Sequence, residues 1–310
     1  MSGLPPEYLV YPHRRRGLDH DFYTHRNLAE APRVAWPGGK PLALWVAVQA
    51  GHFPMDMGNK PFPMPGGTER PYPSYWDYTQ RDYGNRIGIF RLIRALAARG
   101  VPATAFLSAV LAQRYPLLLR HIREAGWEVA AGGLDMGRPH HGGLPEAEER
   151  AMIREALDLL AGPGGARPKG WHSPGFSESM NTLPLLAEAG LSYVADWVND
   201  DLPYPVTTKS GGLLAMPISW DMSDQRMLAQ QHMATGDWVE SVRRTMAVLR
   251  AEAEAAGGGR VLCLTITPWV MGQPHRIAAL GALLDEILAD GAVWPATGEA
   301  IAAHWQAQTG

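Results

Sequence analysis

Apolar positions along this chain fall in blocks. Short runs that are apolar at nearly every position recur at 41–49 (PLALWVAVQ), 103–108, 127–131, 170–172, 193–196, 213–218 and 261–267. Such runs mark parallel strands buried on both faces. Longer segments between them have helical periodicity. Over 86–100, Ile89, Phe90, Ile93, Leu96 and Ala97 share one face and Gly100 ends the helix. Helices are also predicted at 111–125, at 145–160 with an acidic first turn, at 183–189, at 237–256 before three glycines, and at 274–289. A last short strand, 292–294, precedes a closing helix through Trp305. This alternation predicts one α/β domain whose parallel strands, joined by helical crossovers, curl into a barrel. No linker and no repeat of constant period divides it.

Two segments stand outside the pattern. Residues 1–40 are polar and irregular, with His13, Arg14, Arg15 and Arg16, and read as an N-terminal arm. Residues 51–82 are rich in Pro, Gly, Met and aromatics, which predicts a functional loop or a subunit contact, and hence a homo-oligomer. A net charge of -3 gives no reason to expect nucleic acid or an anionic membrane as partner. The single Cys263 excludes an intramolecular disulfide and a cysteine zinc cage. The N-terminus lacks a basic-then-apolar signal pattern and no apolar run approaches membrane-spanning length, so a cytoplasmic protein is expected.

The densest candidate chemistry lies in 169–179 (KGWHSPGFSES), where a short strand ends in His172 and Pro174-Gly175 force a turn. Ser177 or Ser179 is expected to cap the following helix, and His172 to face a pocket. His52 follows the first strand. In a barrel the strand C-termini meet at one mouth, so two imidazoles there can serve as acid and base near neutral pH, unless they merely pack. Trp197, Trp220 and Trp269 are candidates for an apolar pocket wall, or for plain core.

Eight short motifs, in order, bear on the family. They are Trp36-Pro-Gly-Gly, Asp82-Tyr-Gly-Asn-Arg-Ile-Gly, Val101-Pro-Ala-Thr-Ala-Phe, Glu128-Val-Ala-Ala, Gly170-Trp-His-Ser-Pro-Gly-Phe-Ser, Asp200-Asp-Leu-Pro-Tyr, Gly272-Gln-Pro-His-Arg and Val293-Trp-Pro-Ala-Thr. Through them the chain resembles the polysaccharide-deacetylase (NodB-homology) superfamily, and within it the intracellular allantoinase-like and cyclic-imidase-like branch. The resemblance runs nearly end to end. It implies an irregular seven-stranded (β/α) barrel of the NodB-homology type that hydrolyses non-peptide C–N bonds, commonly as a homo-oligomer.

The usual polar positions of that family are changed. Where an acidic base and metal ligand follows the first strand, this chain reads Gln49-Ala-Gly-His-Phe. The two histidines after the third strand align with Gly132 and Met136, the fourth-strand Arg with His172, and the late His with Thr267. No metal cofactor is therefore expected. His140 and His141 are adjacent, so at most one of them can replace a lost ligand, and a solvated loop pair is the expectation. Asp135 sits between the lost ligand positions. Trp220-Asp-Met-Ser-Asp-Gln-Arg226 is similar to the allantoinase-like pattern of two Asp and an Arg.

Two readings follow. One is a hydrolase of a small amide, cyclic imide or ureide, with His52, His172, Asp221 and Asp224 catalytic and Asp135, Trp197, Trp220 and Arg226 binding substrate. The alternative is a catalytically silent barrel acting as a ligand-binding or partner subunit. Deacetylation of a carbohydrate polymer is the poorer third, without an export signal or metal triad.

Overall fold

The computed structural model describes residues 20–57, 73–162, 165–289 and 291–309. The basic cluster His13–Arg16 and residues 58–72, on which the expected subunit contact largely rests, lie outside the described residues. Nine strands form one sheet: β1 (Leu42–Ala50), β2 (Thr104–Leu107), β3 (Glu128–Ala131), β4 (Gly170–Trp171), β5 (Tyr193–Val194), β6 (Tyr204–Val206), β7 (Leu213–Ala215), β8 (Arg260–Ile266) and β9 (Val293–Ala296). Their order is β6-β7-β5-β4-β3-β2-β1-β8, with β9 also on β1. Every pairing is parallel except the antiparallel β6–β7 hairpin. The sheet curls into an incomplete barrel. Its two ends meet through contacts outside the ladders, such as Val261 N–H on the Asp201 carbonyl at 3.3 Å.

The seven expected parallel strands are all present. The eighth short strand forms β9, on the lower half of β1 (Leu42↔Val293 to Trp45↔Ala296), while β2 takes the upper half (Ala47↔Thr104 to Ala50↔Leu107). β6 was not predicted: it is three residues long and carries Pro205, which an edge strand tolerates.

The helices pack outside. They are α1 (Tyr75–Tyr83), α2 (Ile89–Ala97), α3 (Val110–Arg114), α4 (Pro116–Glu124), α5 (Glu146–Ala161), α6 (Thr182–Glu188), α7 (Thr235–Ala256), α8 (Pro268–Met271), α9 (Pro274–Ala289) and α10 (Gly298–Thr309). α1 corrects the reading of 51–82 as a loop throughout. Its sequence YWDYTQRDY is rich in residues of modest helix propensity, but Ser74 caps it by accepting from Asp77 N–H at 3.3 Å.

Strand alternation divides the core in two. Leu42, Leu44, Val46 and Val48 of β1 face the helices. Ala43, Trp45 and Ala47 face inward, with Phe106, Ala130, Tyr193, Ala195, Val261 and Cys263 from the other strands. The small alanines make room for Trp45, Phe106 and Tyr193 inside the barrel. Its floor is polar but closed: Glu128 accepts from Tyr193 Oη and Thr104 Oγ1, each at 2.7 Å.

A five-residue π-turn, Gly84–Gly88, joins α1 to α2 and lies against α8. A Cβ on Gly88 would stand 2.0 Å from the Pro268 carbonyl oxygen. Backbone cannot yield as a side-chain tip can, so Gly88→Ala should cost about 3 kcal/mol, at the upper end for overpacking. A urea midpoint equal to that of the unchanged protein would show that the contact is not tight.

Candidate functional site

The period-two pattern that builds the inner core also builds the site. On β1, β2, β3, β4 and β8 the last inward positions, at or just past the strand end, are Gln49, Ser108, Gly132, His172 and Thr267. All five line one cavity of about 440 Å³ at the C-terminal mouth. Phe53, Phe106, Phe176, Trp220 and Trp269 wall it. Among the described residues that line it there is no Lys or Arg, and His172 and Asp196 are the groups able to ionise.

His172 is 7% exposed and sits between the rings of Phe106 and Phe176, with centroids 5.4 and 4.5 Å away. Its Nδ1 lies 2.8 Å from the Ala195 carbonyl and 2.8 Å from Asp196 Oδ1. Both are acceptors, so in the neutral ring Nδ1 carries the hydrogen and Nε2 the lone pair. Gln49 Nε2 lies 3.0 Å from that Nε2 and donates to it. Asp196 Oδ1 also accepts from Ser173 N–H at 2.7 Å, which ties the end of β4 to the end of β5. Phe176 holds a left-handed backbone (φ 59) while its ring meets both His172 and Trp220. A non-glycine residue strained in this way at a cavity wall fits a site whose shape is over-determined by its surroundings.

The serines do not cap α6 as expected. Ser177 Oγ donates to the Pro174 carbonyl and accepts from His140 N–H, and Ser179 Oγ donates to Glu149. Asn181 stands at the helix start. Glu178 Oε2 accepts from Trp197 Nε1 at 2.9 Å. Burial first, and the Asp196 charge next, push its carboxyl up to about 9, so it carries a proton at neutral pH.

The expected quartet does not share the cavity. His172 lines it; His52, Asp221 and Asp224 do not. His52 lies behind the wall, its N–H on Ser108 Oγ and its carbonyl bound by Met136 N–H, and burial followed by Arg114 holds its imidazole below the ordinary range. Asp224 is fully buried at the start of the π-turn Gln225–Gln230. Both its oxygens take Thr267 N–H at 2.9 Å, and burial raises it to about 7. Asp221 is exposed beside a smaller cavity of about 140 Å³ with Asp200 and Asp201.

Among the expected binding residues, Trp220 lines the main cavity, and so does Trp269. Trp197 instead packs outside, against Tyr23 and Tyr204. Asp135 is held by Gly137 N–H and Arg138, and Arg226 reaches Gln230. His140 is not a solvated loop residue: it is buried, with Nδ1 2.9 Å from Glu149, whereas His141 is exposed and accepts from Gly143 N–H. Asp196 is the polar residue that sequence reasoning passed over; Gln49 and Glu178 lay in stretches it singled out, but neither was given a role of its own. Asp196 carries the same signal as His172, a polar residue just past an apolar strand.

Residues 81–194 match the polysaccharide deacetylase family. A Schizosaccharomyces pombe protein assigned to the polysaccharide deacetylases is 26% identical over 273 residues, 83% of this chain and 82% of its own length. Among solved structures, a probable polysaccharide deacetylase from Pseudomonas aeruginosa PAO1 is similar with a TM-score of 0.81 and 27% identity, covering 91% of this chain and 98% of that one. The PuuE allantoinase is similar with a TM-score of 0.80 and 26% identity, covering 92% and 98%.

The divalent metal expected of a polysaccharide deacetylase needs donors at the ends of β1 and β3. Gln49, Gly132 and Met136 stand there. Among the described residues no three His, Cys, Asp or Glu side chains gather to hold an ion. A Cβ on Gly132 would lie 3.0 Å from the Leu107 carbonyl carbon, so a ligand side chain there would need the β2 backbone to give by a few tenths of an ångström. The residues present do not fit such an ion.

Proposed function

We propose that the protein hydrolyses a C–N bond in a small, uncharged cyclic amide, imide or ureide, with His172 activating water. The observation that carries this is the imidazole itself: Nδ1 is held by Ala195 and Asp196 while Nε2 points at a cavity closed on other sides by aromatic rings. In this reading water takes the place of the Gln49 amide at Nε2 and gives its proton to that nitrogen as it attacks the carbonyl carbon. His172 then passes the proton to the departing nitrogen. Gln49, Ser108 and Thr267 offer neutral donors and acceptors for the carbonyl and N–H groups of the ring. The absence of a cationic side chain among the described wall residues favours an uncharged ring over a carboxylated one. The cavity volume suits one ring rather than a polymer. The family match over residues 81–194 and the likeness to an allantoinase support hydrolysis of this bond type, and the donor set at the mouth supports a route that uses no metal.

The test is ring opening of five- and six-membered cyclic imides, hydantoins and dihydropyrimidines, followed by chromatography before and after exhaustive chelation. Turnover of at least one ring that survives chelation is expected. Turnover that disappears on chelation and returns with a divalent ion would overturn the metal-free route. Saturable binding of these rings with no opening would favour the silent barrel.

A further inference from the structure

Two buried carboxyls near His172, those of Asp196 and Glu178, each have one oxygen that no hydrogen-bond donor reaches. Asp196 Oδ1 is fully engaged, by Ser173 N–H and by His172 Nδ1, but buried Asp196 Oδ2 has no hydrogen-bond donor. Glu178 Oε2 is engaged by Trp197, but buried Glu178 Oε1 has none either. Asp196 is among the groups that raise the Glu178 carboxyl, through its charge and as a side-chain partner. Two ionised carboxylates cannot share a buried contact; one proton between them satisfies both orphaned oxygens.

We propose that Glu178 is a positioning residue that keeps a proton between its Oε1 and Asp196 Oδ2, so that Asp196 offers His172 a single, oriented oxygen. This rests on the reading of His172 as the base. The proton makes a chain of three: Glu178 donates to Asp196, and Asp196 accepts from His172 Nδ1, which fixes the tautomer with its lone pair towards the cavity. The surroundings hold the chain in place. Trp197 covers Glu178 from outside and is itself covered by His20, Phe22, Tyr23 and Tyr204. The charged and titratable groups facing Glu178 are Asp196, Glu149 with its partner His140, and Tyr204 with Tyr23 behind it. The Asp196 and Glu149 charges, like burial, oppose ionisation of Glu178. No cation in this set is placed to favour it except protonated His140, which is already bound to Glu149.

The test reads the imidazole directly. Nitrogen NMR of ligand-free protein, with the His172 resonance assigned by its loss in His172→Ala, is followed from about pH 7 to about pH 10. His172 should show a step as Glu178 ionises near 9, and Glu178→Gln, whose amide still donates to Asp196 but cannot ionise, should abolish the step. Trp197→Phe, which removes a donor from the Glu178 carboxylate, should move the step to higher pH and serves if Glu178→Gln does not fold. A step that persists in Glu178→Gln, or no step in the unchanged protein, overturns the proposal.

Stability gives a second readout. The native carboxyl keeps its proton up to about 9 while the unfolded one loses it near 4.5, so Glu178 costs stability progressively as pH rises through that window. The gain in melting temperature of Glu178→Gln should therefore grow with pH across it; a constant difference counts against the shared proton. If both readouts behave as expected and no ring is opened, the proton chain stands and the hydrolase reading falls.

Discussion

His172→Ala should lower turnover by about 10²–10⁴-fold, the usual range for a lost general base, with the fold intact. Among the described residues His172 is the imidazole that lines the cavity, and no second one stands ready to replace it. Its neighbours Phe106 and Phe176 keep their packing against Trp45 and Trp220, so removal of the ring enlarges the cavity without opening the core. Circular dichroism should therefore match that of the unchanged protein while kcat falls and KM changes little. Equal turnover in the two proteins would remove His172 from the mechanism even if ligands still bind in the cavity.

Glu149→Ala should be strongly destabilising, at about 3–5 kcal/mol, the scale for breaking a buried ion pair from one side. The Glu149 side chain is fully buried. It accepts from Ser179 Oγ at 2.6 Å and Thr182 Oγ1 at 2.5 Å, and meets His140 Nδ1 at 2.9 Å. Removing it takes away the acceptor for the Ser179 and Thr182 hydroxyl hydrogens and the partner of the His140 imidazole. Burial alone would raise this carboxyl, but the bonds from His140, Ser179 and Thr182 reverse that and leave it below its ordinary 4.5. A depressed acid stabilises the fold above its unfolded value and loses that contribution as pH falls. The gap between Glu149→Ala and the unchanged protein in urea should thus be full at neutral pH and shrink in acid. A gap that stays constant through the acid range would mean that ionisation of Glu149 is not what stabilises this knot. The knot anchors α5 to the loop that carries Phe176 and Glu178, so its loss should loosen the cavity wall as well.

Which parts of this were legible in the sequence follows from burial. Parallel strands covered on both faces are written as continuous apolar runs, so β1, β2 and β8 stand out, whereas β6, with its exposed Pro205, does not. His172 was legible because it ends such a run. His52 was misplaced because it lies past the end of β1, after the inward register Ala43, Trp45, Ala47, Gln49 has run out. Counting by twos to the strand end finds Gln49, a residue that no catalytic pattern flags. Glu149 sits in the acidic first turn of α5, where the helix dipole explains a glutamate equally well; only the fold brings Ser179, Thr182 and His140 to it. Glu178 lies in a loop with no periodicity to read.

The way β1 shares its edges has a consequence for how the chain is made. β1 ends at residue 50, yet its partners on one side span 104–107 and 293–296 and on the other 260–266. A ribosome releases these in order, so β1, buried on both faces in the finished barrel, waits with one edge bare until more than two hundred further residues have emerged. Loop closure over that distance is slow, and an apolar strand with an open edge is the kind of segment that pairs with the wrong chain. Truncation before residue 293 would remove β9, and truncation before residue 260 would remove β8 as well and leave β1, buried in the finished barrel, with a bare and adhesive edge.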